Sequence, residues 1–315
     1  MDRPVIEFIR PTSLSYARMK AILFSPFDAG KWFVLGFTAW LAGLLDGGGS
    51  SGGGGGDDFG DEDLGEESFQ EFYEESKEWV MENWEWIVGI GSVVLLVILA
   101  ICIALLWVSS RGKFLFLDNV VHNRALVVEP WKRFRDVANS LFWWRLGFGI
   151  ASAILLLGIL GVAAVYVIGR IEAEAWSTEA TLITILLGGL FVAGLVLVGY
   201  ISTLLEDFVI PIMYQRSLAA TDAWRVFLDL HGQRWGMFFL YFLWVMLLGL
   251  VTGLLVLAFG MATCCIGFLV LAIPYIGTVL LLPVLVVFRA LGPEFLRQFG
   301  REWDILSPGD GISMS

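Results

Sequence analysis

The chain has 315 residues, of which 57% are hydrophobic and only 16% are charged. Several apolar runs reach about 20 residues, the length that an α-helix needs to cross a bilayer. This composition excludes an ordinary soluble protein and predicts an all-α, polytopic membrane protein. The formal net charge of −11 comes from one segment, because residues 57–85 hold thirteen acids and a single base, Lys77, and the rest of the chain sums to +1.

A short sequence block occurs twice in clear form and once in a degenerate form. It begins with a Trp, continues with an amphipathic stretch and ends with a second aromatic directly before an apolar run. The clear copies begin at Trp131 and Trp224, and the degenerate copy ends at Trp32. Repeats of this kind build pseudo-symmetric helical bundles. We therefore expect three consecutive two-helix units, each preceded by an amphipathic segment.

In chain order, the predicted elements alternate between polar segments and six apolar spans. The first span is short, since only fourteen apolar residues precede Asp46. The predicted boundaries are an N-terminal amphipathic segment 1–31, a first span 32–45, a Gly-rich and acidic loop 46–85, a second span 86–108, an amphipathic segment 109–145, a third span 146–168, a fourth span 181–205, an amphipathic segment 206–235, a fifth span 236–259, a sixth span 265–288 and a tail 289–315.

The distribution of basic residues predicts the orientation of these spans. Six crossings put both termini on one side, and that side holds eighteen Lys and Arg, against two, Lys77 and Arg170, on the other. Segments rich in Lys and Arg stay in the cytoplasm. We expect a multi-pass protein of the cytoplasmic (inner) membrane with both termini inside and the acidic loop outside.

Five charged residues lie where the even-numbered spans end, and they form the predicted site. If the three units are related by pseudo-symmetry, these residues lie at similar depth and could form a charge-compensated cluster. The simpler interpretation, which we favour, is that each marks the inner headgroup boundary and faces water or lipid phosphate. The five candidates are Arg111, Lys113, Glu206, Asp207 and Arg289.

Small residues and prolines predict how the spans pack. Gly249 and Gly253 form a GxxxG pattern, and Gly36 and Gly43 lie on a similar stripe of the first span. Glycines at this spacing let helices approach closely. Pro274 and Pro283 interrupt the sixth span and should kink it.

The chain carries no recognisable motif for catalysis. Its two histidines, His122 and His231, lack the thiolates or paired carboxylates of a metal site. We therefore predict no enzyme activity, no catalytic residue, no metal and no cofactor. The expected partners are membrane lipids, homo-oligomerisation is left open, and no nucleic-acid partner is expected.

The stretches Ser25-Pro-Phe-Asp28 and Lys31 to Trp40, together with the lead-ins at Trp131 and Trp224, resemble a family of uncharacterised prokaryotic six-span membrane proteins. That family is distantly similar to the membrane domain attached to some glycerophosphodiester phosphodiesterases. The resemblance covers about residues 12–300. Because the hydrolase activity belongs to a separate barrel domain, the resemblance implies a membrane module and not a hydrolase.

Two functional hypotheses follow from the sequence. The first is a non-enzymatic scaffold or lipid-interacting membrane module, because interfacial aromatics are abundant and few polar residues lie deep in the spans. The second is a transporter or channel that uses the seam between the hairpin units. The residues that would line the seam are Tyr200, Ser202, Thr203, Glu206 and the kink at Pro274.

Overall fold

The computed structural model describes residues 7–45, 79, 81–173, 177–263 and 266–306. All regular secondary structure in these residues is helical. The Gly-rich and acidic part of the predicted loop, residues 46–78, lies outside the described residues.

Eleven α-helices follow one another in the described chain, together with one π-helical segment and two short 3₁₀ turns. The helices are α1 (Ile9–Phe24), α2 (Ala29–Gly43), α3 (Trp84–Val121), α4 (Val128–Arg133), α5 (Arg135–Glu172), α6 (Thr178–Leu204), α7 (Ile210–Arg216), α8 (Ala220–Ala262), α9 (Ile266–Ala272), α10 (Ile276–Leu280) and α11 (Leu282–Leu296). The π-helical segment is Leu205–Val209, and the 3₁₀ turns are Arg297–Phe299 and Arg301–Trp303.

Four helices are long and apolar enough to cross a membrane. They are α3, α5, the continuous run Thr178–Arg216 that joins α6 to α7, and α8. Each contains one of the predicted spans 86–108, 146–168, 181–205 and 236–259. The chain is therefore an all-helical protein with four long apolar helices that are compatible with a membrane.

Burial divides each long helix into two parts. In α3, residues 84–104 are almost all exposed, whereas residues 109–120 are all buried. We call the exposed stretches 84–108, 146–172, 178–203 and 243–262 the apolar segments. The packed remainder, which includes α1, α2, the end of α3, α4, α7 and α11, we call the base. Apolar side chains on every face of a helix suit lipid rather than water.

A cluster of aromatic rings lies at the centre of the base. The ring of Phe208, in the π-helical segment, lies 5.4 Å from Phe227, 5.1 Å from Phe238 and 4.8 Å from Tyr241. All four side chains are buried. Large aromatic side chains contribute most to a core because each buries a large apolar area. The π-helical segment and the stretches of α8 on both sides of Arg234, where its backbone is kinked, therefore meet in one core.

Helix α2 packs antiparallel against the buried end of α3. Lys31 Nζ donates to Asn123 Oδ1 at 2.5 Å, and Ser109 Oγ donates to the Ala42 carbonyl at 2.8 Å. At 1.5 Å per residue, the fifteen residues of α2 extend for about 22 Å. The helix lies in the base beside residues 109–123, so a membrane crossing by residues 32–45 stays a prediction.

The stretch predicted as the sixth span is divided into α9, α10 and α11. Pro274 lies in the break between α9 and α10, and Pro283 is near the start of α11, so the predicted interruptions at both prolines are confirmed. Tyr275, in the same break, has a φ of 70° and donates its hydroxyl to the Phe33 carbonyl at 2.9 Å. The break therefore turns the chain back onto α2.

A buried ion pair joins α1 to α11. Arg18 Nε lies 3.5 Å from Glu294 Oε1, and the two side chains are 7% and 1% exposed. Arg18 also donates to the Leu306 carbonyl at 3.0 Å. Burial raises the pKa of Glu294 and lowers the pKa of Arg18, and the pairing of opposite charges works against both shifts. The contact ties the start of the described chain to its end.

The close approach of α2 and α3 depends on Gly112. A Cβ at this position would lie 2.6 Å from Ala42 N and from the Leu41 carbonyl carbon, whereas a Cβ at Gly91, in the same helix, meets nothing within 4 Å. We expect Gly112→Ala to lower the stability of the detergent-solubilised protein by about 1–3 kcal/mol, because backbone atoms must move apart. The control Gly91→Ala should be neutral or stabilising by up to about 1 kcal/mol. Equal melting temperatures for the two variants would contradict this packing.

Candidate charge cluster and junction cavity

Three of the five predicted charged residues meet where the apolar segments enter the base. Lys113 Nζ forms an ion pair with Glu206 Oε1. Arg289 places one guanidinium nitrogen 3.4 Å from Glu206 Oε2 and donates from the other to the Lys113 carbonyl at 2.7 Å. The contact joins α3, the π-helical segment and α11, which lie far apart in the sequence.

The ion pairs of this cluster are largely removed from water. Lys113 is 2% exposed, and the side chains of Arg289 and Glu206 are 10% and 29% exposed. Burial of a single charge costs several kcal/mol, and the cost is offset only when partners of opposite charge lie close. Two cations around one carboxylate satisfy this condition, so each group of the cluster depends on the others.

Asp207, the next residue of the π-helical segment, makes its hydrogen bond with α8. Tyr241, in α8, donates its hydroxyl to Asp207 Oδ2 at 2.9 Å. On the other side, Gly292 of α11 lies so close that a Cβ would come within 2.2 Å of the Asp207 carbonyl oxygen. Single-turn π-helical segments inside α-helices are frequent at functional sites. The segment presents adjacent carboxylates to two different helices.

Arg111 takes no part in the cluster. Its guanidinium lies over the ring of Trp107 at 4.2 Å and over the ring of Trp131 at 5.0 Å, and it donates to Asn139 Oδ1 at 3.2 Å. Residues two apart on an α-helix point in directions about 200° apart, since each residue turns by about 100°. Only one of Arg111 and Lys113 can therefore face Glu206.

The predicted packing glycines have different surroundings. A Cβ at Gly36 would lie 2.5 Å from Val279, so α2 and α10 approach closely there. Gly43 lines a small cavity beside the charge cluster. At Gly249 and Gly253, a Cβ meets nothing within 4 Å in the described part of the chain. Packing through this GxxxG face between copies of the chain stays a prediction.

The charge cluster separates two cavities. The smaller has a volume of about 270 Å³ and includes Lys113 and Arg289 in its wall. The larger, which we call the junction cavity, has a volume of about 550 Å³ and lies between the apolar segments and the base. Glu206, Asp207 and Phe288 line both. The two carboxylates therefore form part of the wall between the cavities.

Polar and apolar groups both line the junction cavity. The apolar lining residues, which we call the apolar wall, are Leu106, Phe148, Val198, Val245 and Phe288. The polar lining residues, which we call the polar wall, include Arg145, Ser152, Ser202, Thr203 and Glu206. A cavity that offers both kinds of group can bind an amphiphilic molecule, because its polar and apolar parts both find suitable contacts.

Sequence reasoning missed Arg145 as a site residue and treated it as the end of an amphipathic segment. One guanidinium nitrogen of Arg145 donates to Ser109 Oγ at 3.1 Å and to Ser110 Oγ at 3.4 Å. Its position directly after Trp143 and Trp144 is a usable signal, because Trp and Arg together mark the interface between membrane and water. Nothing in the local sequence indicates that Ser109 and Ser110 of α3 contact Arg145.

Within the described ranges, no group of three or more His, Cys, Asp and Glu side chains could hold a metal ion. His231 lies outside the junction cavity and contacts the hydroxyl of Tyr200 at 2.8 Å. The cavity offers a guanidinium, carboxylates and hydroxyl groups beside apolar walls.

We predict strong energetic coupling between Lys113 and Glu206. Lys113→Met and Glu206→Gln should each lower stability by about 3 kcal/mol, because each leaves a buried charge without its main partner. The double variant should lose clearly less than the sum, as measured by a double-mutant cycle on thermal unfolding in detergent. The exposed pair Asp222 and Arg225, whose side chains are 50% and 80% exposed, is the matched control and should show coupling below about 1 kcal/mol. Additive losses at Lys113 and Glu206 would contradict the coupling.

Comparison with known proteins identifies the family. Neither a search of curated proteins nor a search of solved structures found a match. A scan against models of protein families matched residues 12–298, most of the chain, to a family of unknown function, DUF7544. The match includes α2 to α11 and every residue of the charge cluster and the junction cavity. The chain therefore belongs to this family, DUF7544.

Proposed function

We propose that this protein is a non-enzymatic membrane module that interacts with lipids, and that it serves as a scaffold in the membrane. The observation that carries the proposal is the junction cavity, which is lined by both polar and apolar side chains where the apolar segments enter the base. That depth is where the headgroup and the acyl chains of a lipid also meet. The resemblance to a membrane module whose attached hydrolase activity belongs to a separate domain supports the same proposal.

The proposed topology is six passes in three hairpin units, and it keeps the predicted first span 32–45 and sixth span 265–288. The four long apolar helices supply the other four passes. Helix α8 ends at Ala262, about 30 Å beyond Tyr241, whereas α10 lies beside α2. The chain after α8 therefore returns over about the length of a pass, which supports the sixth span.

The proposed orientation places the base and both termini in the cytoplasm and the protein in the inner membrane. Arg170 is the single Lys or Arg in the described apolar segments, and the base holds the other basic residues of the described chain. Segments that remain in the cytoplasm carry an excess of Lys and Arg. The charge distribution therefore supports this orientation.

A transporter or channel is the alternative, and the polar residues of the junction cavity favour it. Ser202, Thr203 and Glu206 of the expected seam line this cavity. However, α6 has no polar side chain between Thr184 and Tyr200, and α5 has none between Ser152 and Tyr166. A continuous aqueous path needs polar lining along its length, so the scaffold or lipid-interacting function is the better supported proposal.

One pair of measurements on purified protein separates the two functions. Native mass spectrometry should show lipid molecules that stay bound after detergent exchange, and the same spectra give the number of copies in the complex. Liposomes that contain the protein should release no more of a small ion than protein-free liposomes. Flux above the protein-free level would favour the transporter, and complete loss of lipid without flux would contradict both functions.

A further inference from the structure

We propose that the junction cavity binds the headgroup of a zwitterionic glycerophospholipid, with the phosphate at Arg145 and the ammonium group at Asp207. This inference rests on the proposed lipid-interacting function and assigns it a site and a class of lipid. It follows from four features of the cavity: its position, its charges, its size and the glycine in its wall.

The position of the cavity matches the depth of a lipid headgroup. Its apolar wall continues into the exposed faces of α5 and α6 at Gly149 and Val198, where acyl chains can follow the apolar segments. Its polar wall begins at Arg145, one residue after the Trp143-Trp144 pair. Trp and Arg mark the interfacial region of a membrane. A bound lipid would therefore keep the orientation that it has in the bilayer.

The charges of the cavity favour a headgroup with both signs. Arg145 is the basic residue of the wall, and a guanidinium binds phosphate through several N–H donors. Asp207, beside Glu206 in the same lining, can accept a hydrogen bond from an ammonium group through Oδ1, since Oδ2 accepts from Tyr241. Glu206 is already paired with Lys113 and Arg289, so Asp207 is the carboxylate that sets the preference. A headgroup that carries only negative charge would gain the contact with Arg145 but would also face Asp207.

The volume of about 550 Å³ is within the range of small-molecule sites, about 300–1,000 Å³. It accommodates the headgroup and the glycerol region, and the acyl chains remain outside against the apolar segments. Ser152, Ser202 and Thr203 add hydroxyl groups to the polar wall. These groups can bind the ester and phosphate oxygens of such a lipid.

Gly149 makes the inference testable, because its missing side chain leaves part of the cavity open. A Cβ at Gly149 meets no atom within 4 Å, so Gly149→Phe can extend into the cavity without a clash with the protein. Gly158 lies on the same helix and is equally unobstructed, but it does not line the cavity. Gly158→Phe is therefore the matched control for hydrophobicity and for helix stability.

The experiment supplies purified protein with equal amounts of phosphatidylethanolamine and phosphatidylglycerol and counts the retained lipids of each class by native mass spectrometry. We expect the wild type and Gly158→Phe to retain phosphatidylethanolamine preferentially. Gly149→Phe and Arg145→Gln should lower this retention by about tenfold, the equivalent of about 1.4 kcal/mol. Melting temperatures of all four proteins show whether each variant is folded.

Each outcome decides one claim. Preferential retention of phosphatidylglycerol would overturn the assignment to a zwitterionic lipid. Unchanged retention of lipid in folded Gly149→Phe would overturn the assignment to this cavity. Neither result would contradict the proposed lipid-interacting function. Loss of all lipid from the wild type would overturn the proposed function itself. Soluble phosphoethanolamine added in excess tests the remaining source of the same chemistry. If lipid-free wild type binds this compound as tightly as it binds phosphatidylethanolamine, and Gly149→Phe abolishes that binding, the ligand is a soluble phosphoester and the assignment to a lipid is overturned.

Discussion

The ion pair between Lys113 and Glu206, together with Arg289, is the interaction on which the rest of the structure depends. It joins α3, the π-helical segment and α11 at the depth where exposed apolar helix gives way to a packed core. Charged side chains at this depth are stable only when they pair with side chains of opposite charge, because neither lipid nor an apolar core solvates them. The ion pairs therefore fix the position of each helix along its neighbours, because a shift would leave a buried charge without its partner. Gly112 and Gly292 allow the backbones to approach closely enough for these contacts.

The protein therefore has two parts, a packed base and a set of apolar segments whose surface suits lipid. The base has an aromatic core around Phe208 and buried ion pairs, as a soluble domain does. The apolar segments expose many Leu, Ile and Val side chains, which suits lipid. The junction cavity lies between the two parts and shares their properties, since a guanidinium, carboxylates and apolar side chains all line it. The proposed binding of a lipid headgroup follows from this boundary.

The sequence predicts the four long apolar helices well, because about 20 consecutive apolar residues have few alternatives to a helix in a membrane. Hydropathy does not distinguish α2 from a span, since the fourteen apolar residues that suggest a crossing also suit a helix in the base. The expected repeat predicts one depth for Lys113, Glu206 and Arg289, but it does not specify direction around each helix, so it cannot separate Arg111 from them. The GxxxG pattern pointed to Gly249, whereas the close approaches occur at isolated glycines such as Gly112 and Gly292. Their neighbours come from distant parts of the chain, which local spacing does not reveal.

The exposure profile along α3 tests the division between lipid-facing segment and buried base most directly. Spin labels placed one at a time between Val88 and Leu117, in a cysteine-free background in lipid bilayers, report how often each site collides with oxygen, which concentrates in lipid. The structure predicts high oxygen accessibility from residue 88 to 104 and a sharp fall from Ser109 onward. Accessibility that stays high through residues 109–117 would contradict the account, because it would mean that this part of α3 faces lipid and not a packed base.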